Sequence, residues 1–266
     1  MELIVCVKQV PDPEAPPASF KVDTATNKVV PPPGVPPVIS TFDETAVEAA
    51  LRVKDAKGGK ITVVSLGNGL VRDVVKKPLA MGADQLILLE DPAYEESDSW
   101  ATAYALSMAI KKIGTFDIIF CGRQAADWDA GQVGLGIAEF LGIPSVTLAK
   151  KVESVDGKVR VERVVADGFE VVEAPTPCLI TVTNELGEPR YAPLKGIMRA
   201  AKVQPTIWKP QDIGVDASQI GAGGRRSKLV KLFQPVKEGK CEIVEGENAA
   251  DAALKLAIRL RDAKVL

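Results

Sequence analysis

The residues best placed to do chemistry follow the short apolar run DIIFC, where the chain reads GRQAADWDAGQVGLG from Gly122 to Gly136. A run this short, flanked by breakers, reads as a buried strand. Behind it, Val133, Ile137, Phe140 and Leu141 fall at i, i+4, i+7 and i+8, the spacing of one buried helical stripe. Between them lie small and acidic residues: Ala125, Ala126, Asp127, Asp129, Gly131, Gln132 and Gly134. In an open parallel sheet, ligands bind where such a strand ends and its helix begins. The first amides of the helix are unpaired and carry positive partial charge, so phosphate is the natural guest. Arg123, two residues beyond the strand, then faces that ligand, and the expectation is a bound nucleotide. The glycines form no phosphate-loop or dinucleotide fingerprint. The competing reading is a capped helix start with Asp127 or Asp129 as N-cap.

Composition narrows the chemistry further. The 266 residues contain no histidine, which excludes Ser-His-Asp, Cys-His and HExxH sites and removes the commonest proton shuttle. A net charge of −2 gives no reason to expect nucleic acid or an anionic membrane. No apolar run reaches the length of a membrane-spanning helix, and no basic segment precedes the first strand-like run, ELIVCV. Cys6, Cys121, Cys178 and Cys241 form no ligand-spaced pair, so reduced thiols in a cytoplasmic protein are expected. No metal site is expected.

The elements that must position the loop follow from periodicity. Glu2–Val7 reads as a central strand, and 8–37, with three proline clusters, as a long loop. Thr41 and Glu44 match a capping box, opening a helix with Ala46, Ala49, Ala50 and Val53 on one face and a stop at Gly58-Gly59. Strands are expected at 60–65 and 85–89. The helix from Leu70 to Met81 should kink or shorten at Pro78, and another is entered through Ser97-Asp98-Ser99. This alternation predicts a doubly wound parallel sheet. After Pro144, segments 145–152, 158–165, 169–172 and 178–183 read as antiparallel strands extending it, with hairpin signals at Asp156-Gly157 and Asp167-Gly168. Residues 212–227 read as a glycine-rich linker, and 248–264 as a helix capped by Asn248. The expected division is a nucleotide-binding α/β domain over 1–210 and a linker with a C-terminal helical arm over 211–266.

Other strand ends share the ligand edge. Lys8 follows the first strand; the turn Gly67-Asn68-Gly69 follows the second; Asp98 to Thr102 follow the third. Taken alone, these are an exit loop, a tight turn and a helix cap. Tyr191, Leu194, Ile197 and Met198, in the segment 187–202, are either an exposed partner site beside basic residues or core filling.

These blocks resemble a known family. Val5-Cys6-Val7-Lys8-Gln9-Val10-Pro11-Asp12, Leu79 to Asp84, Gly122-Arg123-Gln124-Ala125 and Glu188-Pro189-Arg190-Tyr191 with Leu194, Ile197 and Met198 occur in order, as in the β subunit of electron-transfer flavoproteins. The resemblance implies a Rossmann-like domain in a heterodimer with an FAD-carrying α subunit. It places an adenine nucleotide at Cys6, Ser40, Thr41, Phe42, Asp43, Leu66 and Ala125–Gly136. The edge residues Lys8, Gly67, Asn68, Thr102, Gly122 and Arg123 complete the candidate cofactor site. Leu194 matches the leucine that anchors into acyl-CoA dehydrogenases. Ordinary members hold AMP in this subunit, whereas bifurcating members hold a second FAD and take hydride from NADH. The blocks at Lys8, Asp98 and Gly122 resemble the bifurcating group; Trp128 and Ala130-Gly131 depart from it, standing where Gly and Thr-Ala are common. Under that reading Arg123 is the catalytic candidate, a positive charge beside the flavin. A stress-protein-like nucleotide-binding module without redox function is the remaining alternative, and it leaves the Glu-Pro-Arg-Tyr block unexplained.

Overall fold

The computed structural model describes residues 1–235, 239 and 241–266. Strand β1 (Glu2–Val7) is followed by the short strands β2 (Gln9–Val10), β3 (Lys21–Asp23), β4 (Lys28–Val30) and β5 (Val38–Ile39). Segment 8–37 therefore carries a β3–β4 hairpin and a β2–β5 pair where only loop was expected. Helix α1 (Thr41–Lys57) leads to β6 (Lys60–Gly67), then α2 (Arg72–Val75) and α3 (Lys77–Met81), separated at Lys76 just before Pro78. Next come β7 (Gln85–Glu90), α4 (Ser99–Ile113), β8 (Ile118–Gly122) and α5 (Val133–Leu141). Four strands, β9 (Ser145–Val155), β10 (Lys158–Val165), β11 (Gly168–Pro175) and β12 (Cys178–Val182), precede α6 (Leu194–Lys202). Strand β13 (Thr206–Trp208), the single turn α7 (Gly221–Gly224) and α8 (Ala249–Asp262) complete the order.

Nine of these strands form one sheet in the order β11-β10-β9-β12-β8-β1-β6-β7-β13. Every neighbouring pair is parallel except β9–β10 and β10–β11, so β10 alone runs against the rest. The doubly wound sheet with an antiparallel extension is present. The expectation that 178–183 belongs to that extension is corrected: β12 inserts between β8 and β9, parallel to both. Its five residues are all buried, as a central strand covered on both faces must be.

The chain order reverses across β1, with β6 on one side and β8 on the other. Their carboxyl ends bound the crevice in which sheets of this kind take ligands. Helix α1 covers one face, with Ala46, Ala50 and Val53 packed over Leu3, Val5 and Ile118. Helices α4 and α5 cover the other, with Ala105, Ile110 and Ile137 over Ile4 and Ile119. Gly136 permits this second packing, because a Cβ there would lie 2.7 Å from the Ala103 Cβ.

Two units divide the chain at Lys231, so the expected boundary at residue 210 falls inside the first. The reading of 212–227 as linker is corrected for the same reason. Ile213 and Ile220 are buried, the Gly221 amide donates to Ser97 Oγ at 2.9 Å, and a Cβ on Gly221 would lie 2.5 Å from Ala93 O. These glycines permit close backbone packing rather than free motion. In the second unit, 232–266, Asn248 caps α8 by accepting from Ala250 and Asp251, both at 3.0 Å. No residue of that helix is buried, and Leu254, Leu256 and Ile258 are exposed. No helix of the described residues is long and apolar enough to cross a membrane.

Candidate functional site

The crevice between β1 and β8 is built around one carboxylate. Asp43, in the first turn of α1, accepts from the Lys8 amide at 2.8 Å through Oδ2 and from the Gly122 amide at 3.0 Å through Oδ1. It thereby ties the exits of two adjacent strands to the start of a helix. The same junction carries two further ties: Ser40 N donates to Lys8 O at 2.9 Å, and Ala126 N donates to Ser40 Oγ at 3.3 Å. Asp43 is buried, and burial pushes its pKa up to about 7 against the two backbone donors and the Lys8 charge.

These contacts correct the capping-box expectation. Helix α1 begins at Thr41 with Ser40 as N-cap, and no side chain caps it. The Ser40 hydroxyl is taken by the 125–134 loop, and Glu44 pairs with Lys77 instead of reaching back. Tertiary partners have replaced the local ones.

Above the junction, the Lys8 ammonium meets both Asp127 oxygens at 2.8 and 2.7 Å, bridging the β1 exit and the β8–α5 loop. The Arg123 guanidinium lies 5.1 Å from the Phe42 ring centroid, and its amide donates to Val182 O at 2.8 Å. Gln124 holds Asp129 at 2.8 Å, while Asp129 and Gly131 take left-handed φ of 50° and 63° to turn the loop into α5. Neither Asp127 nor Asp129 caps that helix: its N-cap is Gln132, with no side-chain cap. The amides of Val133 and Gly134 thus open α5 without a side-chain acceptor, the arrangement that takes phosphate. Gly134 lets this first turn sit against the sheet, since a Cβ there would lie 3.1 Å from Thr181 Cγ2 and 3.3 Å from Cys121 Cβ. Trp128, 57% exposed, projects from the outer part of the loop.

Ser40, Thr41, Phe42, Asp43, Lys8, Gly122, Arg123 and the 125–134 loop are therefore gathered at one edge. Cys6 and Cys121 lie beneath, buried, and their mutual hydrogen bond, aided by burial, holds the Cys121 thiol well above the usual range. That pair is packing, not a nucleophile. Leu66, Gly67 and Asn68 end the next strand, and Asn68 donates to Glu95 at 2.6 Å, which also meets Lys28. Thr102 stands in the first turns of α4. Among the described residues, none of these four shares a hydrogen bond or ion pair with the 125–134 loop. Asp98 behaves as a cap, accepting from Ala101 at 3.0 Å and, through its other oxygen, from the amides of Arg226 and Ser227.

Sequence reasoning missed the end of β12. Val182 receives the Arg123 amide, and Glu185 stands near enough for Arg123 to help hold its carboxyl below the usual range, chiefly an effect of its bond with Thr183. The signal was the unbroken run CLITV, which marks a central parallel strand whose carboxyl end must share the ligand edge.

The second candidate surface is α6. Leu194, Ile197 and Met198 stand at i, i+3 and i+4, exposed by 50% or more, and Tyr191 before them is 98% exposed. The helix rests on α3 by its other side. Arg199 donates to Leu79 O at 2.7 Å, and Gly196 approaches Ala80 O so closely that a Cβ would sit 2.1 Å from it.

Comparison with known proteins agrees with this architecture. Residues 33–213 match the electron transfer flavoprotein domain. The chain is 41% identical over its whole length, and the whole of the relative, to an electron transfer flavoprotein subunit beta of Thermoanaerobacterium thermosaccharolyticum. It is 36% identical, again with complete coverage of both, to the caffeyl-CoA reductase-Etf complex subunit CarD of Acetobacterium woodii. It is 38% identical to protein FixA of Azorhizobium caulinodans, over 97% of this chain and 93% of that one.

Proposed function

Because the chain belongs to the β subunits of the electron transfer flavoprotein family, we propose that it pairs with an α subunit and holds FAD at the β1/β8 crevice. In this reading it takes hydride from NADH in the cytoplasm and bifurcates the pair, one electron passing through the α-subunit FAD to an acyl-CoA dehydrogenase-type flavoenzyme and the other to a low-potential acceptor. The observation that carries the reading is the uncapped start of α5, with Arg123 over Phe42 at the same strand edge, at the switch point of the sheet. The relative from Acetobacterium woodii is by its name part of a complex with a CoA-ester reductase, which favours a partner of that chemical class.

Bound FAD supplies the hydride and single-electron chemistry, and the chain supplies binding and electrostatics. The residues present fit such a group. The α5 amides receive phosphate, the small residues Ala125 and Ala126 leave the backbone approachable, and the Asp43 junction holds the two walls of the crevice together. Arg123 brings a permanent positive charge to the edge, which would favour the reduced form of a flavin held there. Arg123→Ala is expected to lower the potential of the flavin in this subunit, read by spectroelectrochemistry of the heterodimer. An unchanged potential removes Arg123 from the mechanism.

One contact favours the second reading, AMP held structurally. Lys8 is already neutralised by Asp127, which leaves one cation fewer for the second phosphate of a dinucleotide. Purification with the α subunit, followed by acid release and quantification, separates the two. Two FAD per heterodimer support the first reading, and one FAD with one AMP supports the second.

A further inference from the structure

We propose that Glu48 is a positioning residue for partner docking: its carboxylate clamps the loop that displays Tyr191 and Leu194, so that α1 sets the nucleotide edge and the docking face together. The inference rests on the dehydrogenase-type partner proposed above docking at Tyr191 and Leu194, as the family resemblance implies, and adds how that surface is held.

Glu48 sits in the middle of α1 and is 4% exposed. A carboxylate buried in a helix is costly unless paired and hydrogen-bonded, and this one is engaged by Arg190 from outside the helix and by Arg52 from within it. Arg190 donates to Oε2 through Nε at 2.8 Å and through its own amide at 3.1 Å, and to Oε1 through Nη2 at 3.3 Å. Arg52, one turn along α1, donates to Oε1 at 2.9 Å and reaches Leu186 O at 3.0 Å with Nη1. The same Arg190 Nη2 also donates to Asp55 Oδ2 at 2.8 Å. Burial opposes ionisation of Glu48, but the two guanidiniums prevail and hold its carboxyl below the usual range.

The segment is thus pinned at Leu186 and Arg190 on one side. On the other, Arg199 grips Leu79 O and Ala83 O. Between these anchors lie the most exposed residues of the surface, Tyr191 and Leu194. A loop held in this way surrenders little freedom when a partner arrives, which is the general benefit of preorganisation. Five residues, ~7.5 Å of helix, separate Glu48 from Asp43, so the clamp and the nucleotide junction share one rigid element.

The test compares the wild-type heterodimer with Glu48→Gln, which keeps the shape of the side chain and removes its charge. Electron delivery from the dithionite-reduced heterodimer to a short-chain acyl-CoA dehydrogenase carrying its own FAD is measured, together with flavin content and amide exchange over residues 188–194. The expected result is a KM for the dehydrogenase raised about tenfold, equivalent to 1.4 kcal/mol, with kcat and flavin content unchanged and exchange in the loop faster. Arg190→Lys, which keeps charge but loses the fork, should give an intermediate KM. An unchanged KM overturns the proposal, whether or not exchange quickens. So does a fall in flavin content in step with activity, which marks a purely structural residue. Failure of the docking reading itself is distinct: the wild type would then deliver no electrons to the dehydrogenase before any substitution is made.

Discussion

Gly122→Ala is expected to lower the stability of the subunit by about 3 kcal/mol, the upper end for overpacking a well-filled site. A Cβ at this position would lie 2.5 Å from Asp43 Oδ1, 2.7 Å from the Phe42 carbonyl carbon and 2.8 Å from Phe42 Cβ. All three atoms belong to the start of α1, which cannot retreat alone, because Ala46, Ala49, Ala50 and Val53 lock the helix to the sheet. The penalty is steric: the φ of Gly122 lies outside the left-handed region that favours glycine. Moving α1 outward would also stretch the Gly122 amide away from Asp43. For a chain of this size the loss corresponds to a fall in Tm of about 6–12 °C, with release of nucleotide from the heterodimer. Gly223→Ala serves as the control, since a Cβ there meets Ser218 O at an ordinary 3.5 Å. Equal melting temperatures for the two variants would show that the β8 exit yields more easily than the packing implies.

How far the site could be read in advance depended on whether its contacts are local. The strand Ile118–Gly122 and the helix from Val133 were legible because buried runs and 3.6-residue spacing are written in consecutive residues. So were the stop of α1 at Gly58, with φ of 71°, and the break before Pro78. The ligand edge followed from strand–helix alternation alone, without knowledge of any side-chain contact. What failed was decided at long range. Thr41 and Glu44 have the spacing of a capping box, but Ser40 and Glu44 found partners at Ala126 and Lys77. The glycines of 212–227 resemble a linker until Ala93 and Ser97 come to lie against Gly221. Strand β12 follows a hairpin and alternates poorly, and only its pairing with both β8 and β9 reveals it as central. Asp43 is the sharpest case, since the family resemblance put it among the candidate site residues but nothing in the sequence showed its task of joining two strand exits.

That task makes Asp43 the residue whose loss should be felt most. Asp43→Ala deletes both acceptors at once and leaves the part-buried amide of Lys8 and the buried amide of Gly122 unpaired, at about 1–3 kcal/mol each. A total of about 2–6 kcal/mol approaches the whole stability of a typical domain, so little soluble heterodimer is expected. Asp43→Asn is milder and more informative, because it keeps one carbonyl acceptor and turns an NH2 toward the other amide. The wild-type carboxyl, raised to about 7 by burial, holds its proton in the folded state well above the unfolded value of about 3.9. Folding therefore takes up a proton between those values. The stabilisation tied to it is complete below pH ~4 and declines as pH rises toward 7, by about 4 kcal/mol in all. A carboxamide does not titrate, so this component of the slope should vanish in the Asp43→Asn variant. Thermal unfolding of both heterodimers between pH 5 and pH 8 reads the difference: the variant should melt well below the wild type at pH 5, and the gap should narrow toward pH 8. Parallel profiles would mean that Asp43 is ionised throughout, its two backbone donors outweighing burial. The junction would then be held by a buried charge and not by a neutral carboxyl.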